Sequence, residues 1–285
     1  MTVSPEVGQT IHVDGIRTNL HDTVEDPGGG TVLLLHGSGP GVSAWANWRL
    51  TIPALAQHFR VVAPDIVGFG YSDLPAGPYT PRRWLNHVRG VLDVLGVDRV
   101  HVMGNSFGGS LALGLAIHDP QRVRRLVLMG PVGTHFDITE GLEAVWGYQP
   151  SVQAMRDLLD IFTYASNPQI DELARMRFEA SIRPGVQEAF SQMFPAPRQH
   201  SVDRLAHADA VISAITAPTL IVHGREDRVI PLSSSLNLLG LIPRAQLHVF
   251  GQCGHWTQIE HAEAFNSLVL DFLSRVSPQI DYMRR

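Results

Sequence analysis

The pentapeptide Gly104-Asn105-Ser106-Phe107-Gly108 sets a serine between two glycines, directly after the apolar run Arg99–Met103 (RVHVM) and directly before the small-residue stretch GGSLALGLAIH. A serine in a sharp strand-to-helix turn is presented as a nucleophile, and the glycines are needed because the strained backbone brings neighbouring turns too close for side chains. The start of a helix behind Ser106 also favours negative charge that develops there. A serine hydroxyl is unreactive at neutral pH, so a base must take its proton and a carboxylate must orient that base. With a nucleophile in such a turn, the acid and then the histidine follow in chain order. Thr219–His223 (TLIVH) leads into Gly224-Arg225-Glu226-Asp227-Arg228, a loop with two carboxylates, and Gln246–Phe250 (QLHVF) leads into Gly251-Gln252-Cys253-Gly254-His255-Trp256. Of fourteen histidines, His255 stands alone in a glycine-rich loop after the last strand-like run. His101, His223 and His248 fall within such runs, and His12, His21 and His58 fall early, away from the expected site. His255 is therefore the predicted base, while the residues alone leave Glu226 and Asp227 both open as its partner. Cys253 has no second base beside it and reads as packing.

Acyl-transfer chemistry also needs two N–H groups aimed at the oxyanion. One is expected from Phe107, the residue after the nucleophile. The other is expected from Ser38, in the loop His36-Gly37-Ser38-Gly39-Pro40-Gly41 that follows Thr31–His36 (TVLLLH). That loop lacks the G-K-[ST] ending of a phosphate-binding loop. Asp65, after Arg60–Pro64 (RVVAP), reads as a structural loop residue.

These loops must be carried by buried strands. Thr31–His36, Arg60–Pro64, Arg99–Met103, Leu126–Met129, Thr219–His223 and Gln246–Phe250 are short, nearly continuous apolar runs, as parallel strands covered on both faces should be. Helical stretches alternate with them. Thr80 reads as an N-cap before Pro81, with Trp84, Val88, Val91, Leu92 and Leu95 at helical spacing and Gly96 as the stop. Phe265, Leu268, Val269, Phe272, Leu273 and Val276 form a second stripe. The alternation predicts a doubly wound α/β sheet with right-handed crossovers. It breaks between about residues 133 and 207, where Val152, Met155, Leu158, Leu159 and Phe162 follow Ser151 at helical spacing. Residues 1–132 and 208–285 are thus expected to form the core, and 133–207 a helical lid over the strand C-termini, where open α/β sheets bind ligands.

The 285 residues suffice for one large domain with its own core. A formal net charge of -5 gives no basic footprint for nucleic acid or an anionic membrane surface. No apolar run is long enough to span a bilayer, and the N-terminus does not read as a secretory signal. The single cysteine fits a reducing, cytoplasmic setting. No metal-ligand spacing appears, so no metal and no cofactor are expected.

The run His36–Leu50 (HGSGPGVSAWANWRL), the segments GNSFGG and Ala180–Gly185 (ASIRPG), and the tail HGRED…GQCGHWTQIEHAEAF resemble the meta-cleavage-product hydrolases of the α/β-hydrolase superfamily. These enzymes hydrolyse carbon–carbon bonds in bacterial aromatic degradation. The resemblance runs from about residue 10 to residue 275, and is nearest to the subgroup acting on 2-hydroxymuconate semialdehyde and 2-hydroxy-6-oxohepta-2,4-dienoate. It implies an α/β-hydrolase fold with a mostly parallel eight-stranded sheet and an inserted lid, and a triad of Ser106, Asp227 and His255. It further implies that Arg183 and Asn105 hold the carboxylate and 2-hydroxy end of an anionic dienoate, with Asn47 and Trp256 beside them. On the residues alone, Arg183 could equally cover the carbonyls of a helix end before Pro184-Gly185. By family position Val132, Leu142 and Val229 wall the C6 end, which suggests hydrogen or a short alkyl group there. A homodimer or larger homo-oligomer is expected on the same ground. A carboxylesterase or a cofactor-free haloperoxidase would keep this triad without needing Arg183, and a ligand-binding receptor on the same fold would not need turnover at all.

Overall fold

The computed structural model describes residues 4–165 and 169–275. Eight strands form one sheet: β1 Gln9–Val13, β2 Ile16–Asp22, β3 Thr31–Leu35, β4 Arg60–Pro64, β5 Val100–Asn105, β6 Val123–Met129, β7 Thr219–Gly224 and β8 Ala245–Phe250. Their order across the sheet is β1-β2-β4-β3-β5-β6-β7-β8, antiparallel for β1, β2 and β4 and parallel from β4 to β8. This is the expected fold. The six apolar runs are the parallel strands. The hairpin β1–β2 was not among them, because its residues alternate with polar ones and its signal is the Asp14-Gly15 turn, both in positive φ.

Successive side chains of a strand point to opposite faces, so each buried strand feeds two cores. Leu33 and Leu35 of β3 join one cluster, while Val32 and Leu34 join the other. The second cluster is closed by α1 Ala44–Trp48, α2 Ile52–Leu55 and the later helix Ala262–Ser274, through Trp48, Leu55, Phe265 and Val269. The first is closed by α3 Pro81–Val94 and α4 Phe107–His118. The Thr80 hydroxyl caps α3 by accepting from Arg83 N–H at 3.1 Å, and Pro81 occupies the first position, where its missing N–H costs nothing.

Between β6 and β7 the chain leaves the sheet for α5 Glu140–Trp146, α6 Val152–Phe162, α7 Ile170–Ser181, α8 Val186–Met193 and α9 Gln199–Leu205, then returns through α10 Asp209–Ile212. Ser151 caps α6 by accepting from Ala154 N–H at 2.9 Å. Met155, Leu158, Leu159 and Phe162 are buried as the spacing predicts, but Val152 is exposed, because the first turn projects beyond the surface that α6 covers. After β7 come α11 Leu232–Leu241, β8, α12 Thr257–Glu260 and α13 Ala262–Ser274. Val276, expected at the end of the α13 stripe, lies outside the described residues. No described helix is long and apolar enough to cross a membrane.

Register fixes which loops meet. Leu35 pairs with Gly104, Asn105 with Met129, Met129 with Val222, and Gly224 with Phe250. The ends of β3, β5, β6, β7 and β8 are therefore level, and the loops that follow them emerge side by side.

Candidate active site

Ser106 sits between β5 and α4 with φ 52° and ψ -114°, a backbone conformation that L-residues rarely adopt. Its N–H donates to Met129 O at 2.9 Å, and its carbonyl accepts from Gly109 and Val132 N–H groups, which lock the turn. The flanking glycines are required by contact. A Cβ on Gly104 would overlap the Gly108 carbonyl, and one on Gly108 would overlap the carbonyls of Leu35 and His36. Behind the serine, the Phe107 ring packs edge-on against Trp84 at 4.8 Å.

Of the two carboxylates after β7, Asp227 turns inward and Glu226 does not. Glu226 is held by its own loop and the next one, accepting from Arg225 and from Cys253 N–H at 3.0 Å. Asp227 Oδ1 accepts from the Val229 and Ile230 N–H groups, and Oδ2 accepts from His255 Nδ1 at 2.7 Å. Burial alone would raise the Asp227 carboxyl, but the charges and hydrogen bonds of His255 and His223 outweigh it and hold the group below the usual carboxylate range. Because Nδ1 of His255 donates to the carboxylate, Nε2 is left as the basic nitrogen.

His223 was assigned only to a strand, yet its Nε2 lies 3.3 Å from Asp227 Oδ2. The same nitrogen donates to Ile230 O at 3.0 Å, and Nδ1 pairs with Ser235 Oγ. His223 is a second imidazole set against the acid, and its position within an apolar strand gave no hint of that.

His255 is fixed from above as well. Its N–H donates to Phe162 O at 2.7 Å, at the end of α6, and the Phe162 ring stacks on both His255 and Trp256, at 5.9 and 4.6 Å. Cys253 is buried, and burial with nearby Glu260, Asp227 and Glu226 pushes its thiol pKa far up, so it stays protonated.

A cavity of about 230 Å³ opens between these loops and the inserted helices. Ser106, His255, Ser38, Asn47, Asn105 and Trp256 line it, as do Leu142 and Val229. Ser106 Oγ makes no hydrogen bond among the described residues; resting geometries of this kind often tighten only with substrate in place. Ser38 Oγ accepts from Trp146 Nε1 at 2.9 Å, so α5 pins the loop after β3. Asn47 Oδ1 accepts from Gly37 N–H at 3.1 Å, bracing the same loop. The N–H of Phe107 opens α4, where the first amides have no intrahelical acceptor.

Two residues expected at the wall stand elsewhere. Val132 is fully buried in the core beside the Ser106 turn and does not line the cavity. Arg183 is not at the wall either. Its guanidinium donates to Gly70 O at 2.7 Å and Ala180 O at 3.2 Å and lies 3.9 Å over the Tyr71 ring. Ala180 is in the last turn of α7, so this is the helix-end geometry that the residue pattern left open. Asp65 is wholly buried, accepting from Ala44, Tyr71 and Asn19, in keeping with a structural role.

Reading along the chain also missed Gln258. Its Nε2 donates to Asn47 O at 3.2 Å and its Oε1 is buried without a partner, as is Nδ2 of Asn47, and both residues line the cavity. Such orphans are rare in folded chains and mark places where polar groups arrive from outside.

A family model described as alpha/beta hydrolase fold matches residues 30–262. A 2-hydroxymuconate semialdehyde hydrolase of Pseudomonas sp. (strain CF600) is 60% identical over 272 residues, 95% of each chain. A 2-hydroxy-6-oxo-2,4-heptadienoate hydrolase of Pseudomonas putida is 56% identical over 273 residues, covering 95% of this chain and 98% of the relative. Among solved structures, the meta-cleavage product hydrolase CumD from Pseudomonas fluorescens IP01, a variant complexed with acetates, superposes with a TM-score of 0.91. It is 57% identical, covering 94% of this chain and 97% of that one.

Proposed function

The chain belongs to the α/β-hydrolase fold family and, within it, to the meta-cleavage-product hydrolases, and on that premise we propose a mechanism in which Ser106, His255 and Asp227 cleave the C5–C6 bond of 2-hydroxy-6-oxo-2,4-dienoates. The products are 2-hydroxypenta-2,4-dienoate and a carboxylic acid. The observation that carries this reading is the Asp227–His255 pair at 2.7 Å, facing the cavity that Ser106 lines.

The C5–C6 bond can break only once the dienol has ketonised, which places a carbonyl where it accepts the released electron pair. His255 carries the proton for that step. Ser106 then attacks the C6 carbonyl as His255 takes its proton, and the N–H groups of Ser38 and Phe107 receive the oxyanion. Collapse expels the five-carbon dienoate and leaves an acyl-serine, which a water deprotonated by His255 hydrolyses. Asn105, Asn47, Gln258 and Trp256 supply polar contacts for the dienoate, and Leu142 and Val229 wall the C6 substituent. The segment 133–207 acts as the lid, a role supported by Trp146 and Phe162 reaching down to the two catalytic loops.

The deciding experiment incubates the purified chain with 2-hydroxymuconate semialdehyde and its 6-methyl and 6-phenyl analogues, following loss of dienoate absorbance and identifying both products. Cleavage that disappears in Ser106→Ala is expected, with kcat/KM highest for hydrogen or methyl. Ester hydrolysis without dienoate cleavage would favour the carboxylesterase reading instead. Arg183→Ala belongs in the same series. A loss confined to the dienoate would mean that the guanidinium leaves Gly70 to meet the substrate.

A homodimer or larger assembly is part of this proposal. Leu236, Leu239 and Val249, exposed on α11 and the edge strand β8, support it, and light scattering tests it. A cytoplasmic setting is likewise proposed, supported by the one free, buried thiol.

A further inference from the structure

A second concentration of charge lies at the far end of the sheet. A depression of about 540 Å³ opens where β5 and β6 begin, and Arg99, His101, Arg124, Arg125 and Arg275 line it beside the Gly28-Gly29 turn. β5 runs from there to the Ser106 turn, about 20 Å at roughly 3.3 Å per residue, so the depression is remote from the catalytic cavity.

Register sets His101 beside Arg125. Both are buried, at 5% and 7% exposure, and both rest on rings. The imidazole stands edge-on to Phe59 at 5.6 Å, and the Arg125 guanidinium lies 5.3 Å over Phe272 while donating to the Arg275 carbonyl. Arg99 and Arg124 are exposed at the rim and form no ion pair among the described residues. The acids of this region are engaged or outward. Asp271 pairs with Arg275, Asp26 accepts from the Gly28 and Gly30 N–H groups at 2.9 and 3.0 Å, and Asp98 is exposed. With all three set against them, the four lining arginines and Arg244, whose charge also reaches Arg125, still leave an excess of positive charge.

His101 feels that field. Burial first, then Arg124 and Arg125, push its imidazole down to about 4, and Arg99 adds to them against a hydrogen bond with the Gly29 carbonyl. Its Nδ1 is buried without a hydrogen-bond partner, which folded chains rarely tolerate. Guanidinium forks match the paired oxygens of a tetrahedral oxyanion, and a recessed floor suits a compact one. An extended polyanion would meet a chain of net charge -5.

We propose that Arg99, Arg124, Arg125 and His101 form a binding site for a phosphate group, free or carried by a small metabolite, at the end of the sheet away from Ser106. An occupant ties the starts of β5 and β6 to the turn before β3, so it acts on stability and leaves turnover alone. The site is independent of the carbon–carbon reading, and failure of dienoate cleavage would not touch it.

The full chain is titrated calorimetrically with inorganic phosphate, pyrophosphate and AMP, and Tm is followed with each against potassium chloride of equal ionic strength. Saturable binding at one site per chain is expected, raising Tm by about 5 °C at a concentration near a hundred times Kd. Arg99→Gln combined with Arg124→Gln, both at exposed positions, should weaken binding at least about tenfold and remove most of that gain. Arg82→Gln, an exposed arginine outside the depression, should bind as the wild type does. The kcat/KM for p-nitrophenyl butyrate should be the same in all variants, with or without phosphate. Tighter binding of AMP than of phosphate and pyrophosphate would identify a metabolite-borne group, and the reverse order a free anion. A Tm gain no larger than that in chloride, or one that survives the double substitution, overturns the proposal. So would phosphate competing with the ester, or duplex DNA binding more tightly than pyrophosphate.

Discussion

Asp227 accepts three hydrogen bonds, from the Val229 and Ile230 amides and from His255, and His223 Nε2 lies 3.3 Å away, so it is built to remain ionised and still. Asp227→Asn keeps the shape but lets the amide favour the wrong histidine tautomer. Its kcat should fall on the order of 10⁴-fold, as removing a triad acid does elsewhere, whereas Glu226→Gln should change kcat by less than about threefold. Comparable losses in both variants, measured with the Tm of each, would remove Asp227 from the mechanism. Gln258 makes a different kind of prediction. Gln258→Leu deletes the buried, unpaired Oε1 of a residue that lines the cavity, so KM should rise for the polar dienoate about tenfold more than for a neutral ester. Equal changes for both would mean that the orphan oxygen never meets substrate. At this scale the sequence told much about His255 and little about Gln258. The first is isolated by glycines after a strand. The second becomes notable only when Asn47 folds against it and leaves its oxygen bare.

The elements were legible where burial repeats at a fixed period. α3 begins at the Thr80 cap and the Pro81 position, and α6 begins at Ser151, because capping is local chemistry. Thr80→Ala should therefore cost about 1 kcal/mol of stability, read as a lower Tm, with kcat on ester or dienoate unaltered because the lost bond is to the Arg83 N–H and leaves the Trp84 contact with Phe107 in place. A change in kcat without a change in Tm would contradict that placement. Arg183 illustrates what local pattern cannot fix. A position before Pro184-Gly185 suits both a helix-end cap and a ligand clamp, and only the packing of α7 against the Gly70 turn selects the carbonyls. Arg99 and Arg124 were passed over as site residues for the same reason. Neither stands in a motif, and they share a rim only because β5 and β6 lie side by side in the sheet.

Over the whole molecule, buried titratable groups set how the fold answers acid. His36, His87 and His101 are pushed down to about 4, in each case by burial first, with neighbouring charges adding to the effect at His87 and His101. A histidine ordinarily titrates near 6.5, so between about 6.5 and 4 the unfolded chain binds protons that the folded chain refuses, and stability falls as pH falls through that window. Asp65 works the other way. Burial pushes it up to about 6, so the folded state takes its proton first and gains as pH drops from about 6 toward 4. Asp227, held low, withdraws its contribution only below its ordinary value near 3.8. Three histidines against one aspartate should make Tm decline steadily on acidification from pH 6.5 to 4 in a calorimetric series. A flat or rising Tm would show that these imidazoles do not remain neutral in the fold. The sheet order and the level strand ends were foreseeable from alternation, whereas this balance was not, since it depends on which histidines the two cores enclose.

The bond from the His255 amide to the Phe162 carbonyl has a kinetic meaning. If α6 swings outward to admit a reactant, the imidazole loses its upper tether and the ring that stacks on it. A molecule standing open is thus also disarmed, and recovers its proton-accepting geometry only on reclosing. Premature attack by bulk solvent on a half-entered reactant would then be suppressed by that same outward swing.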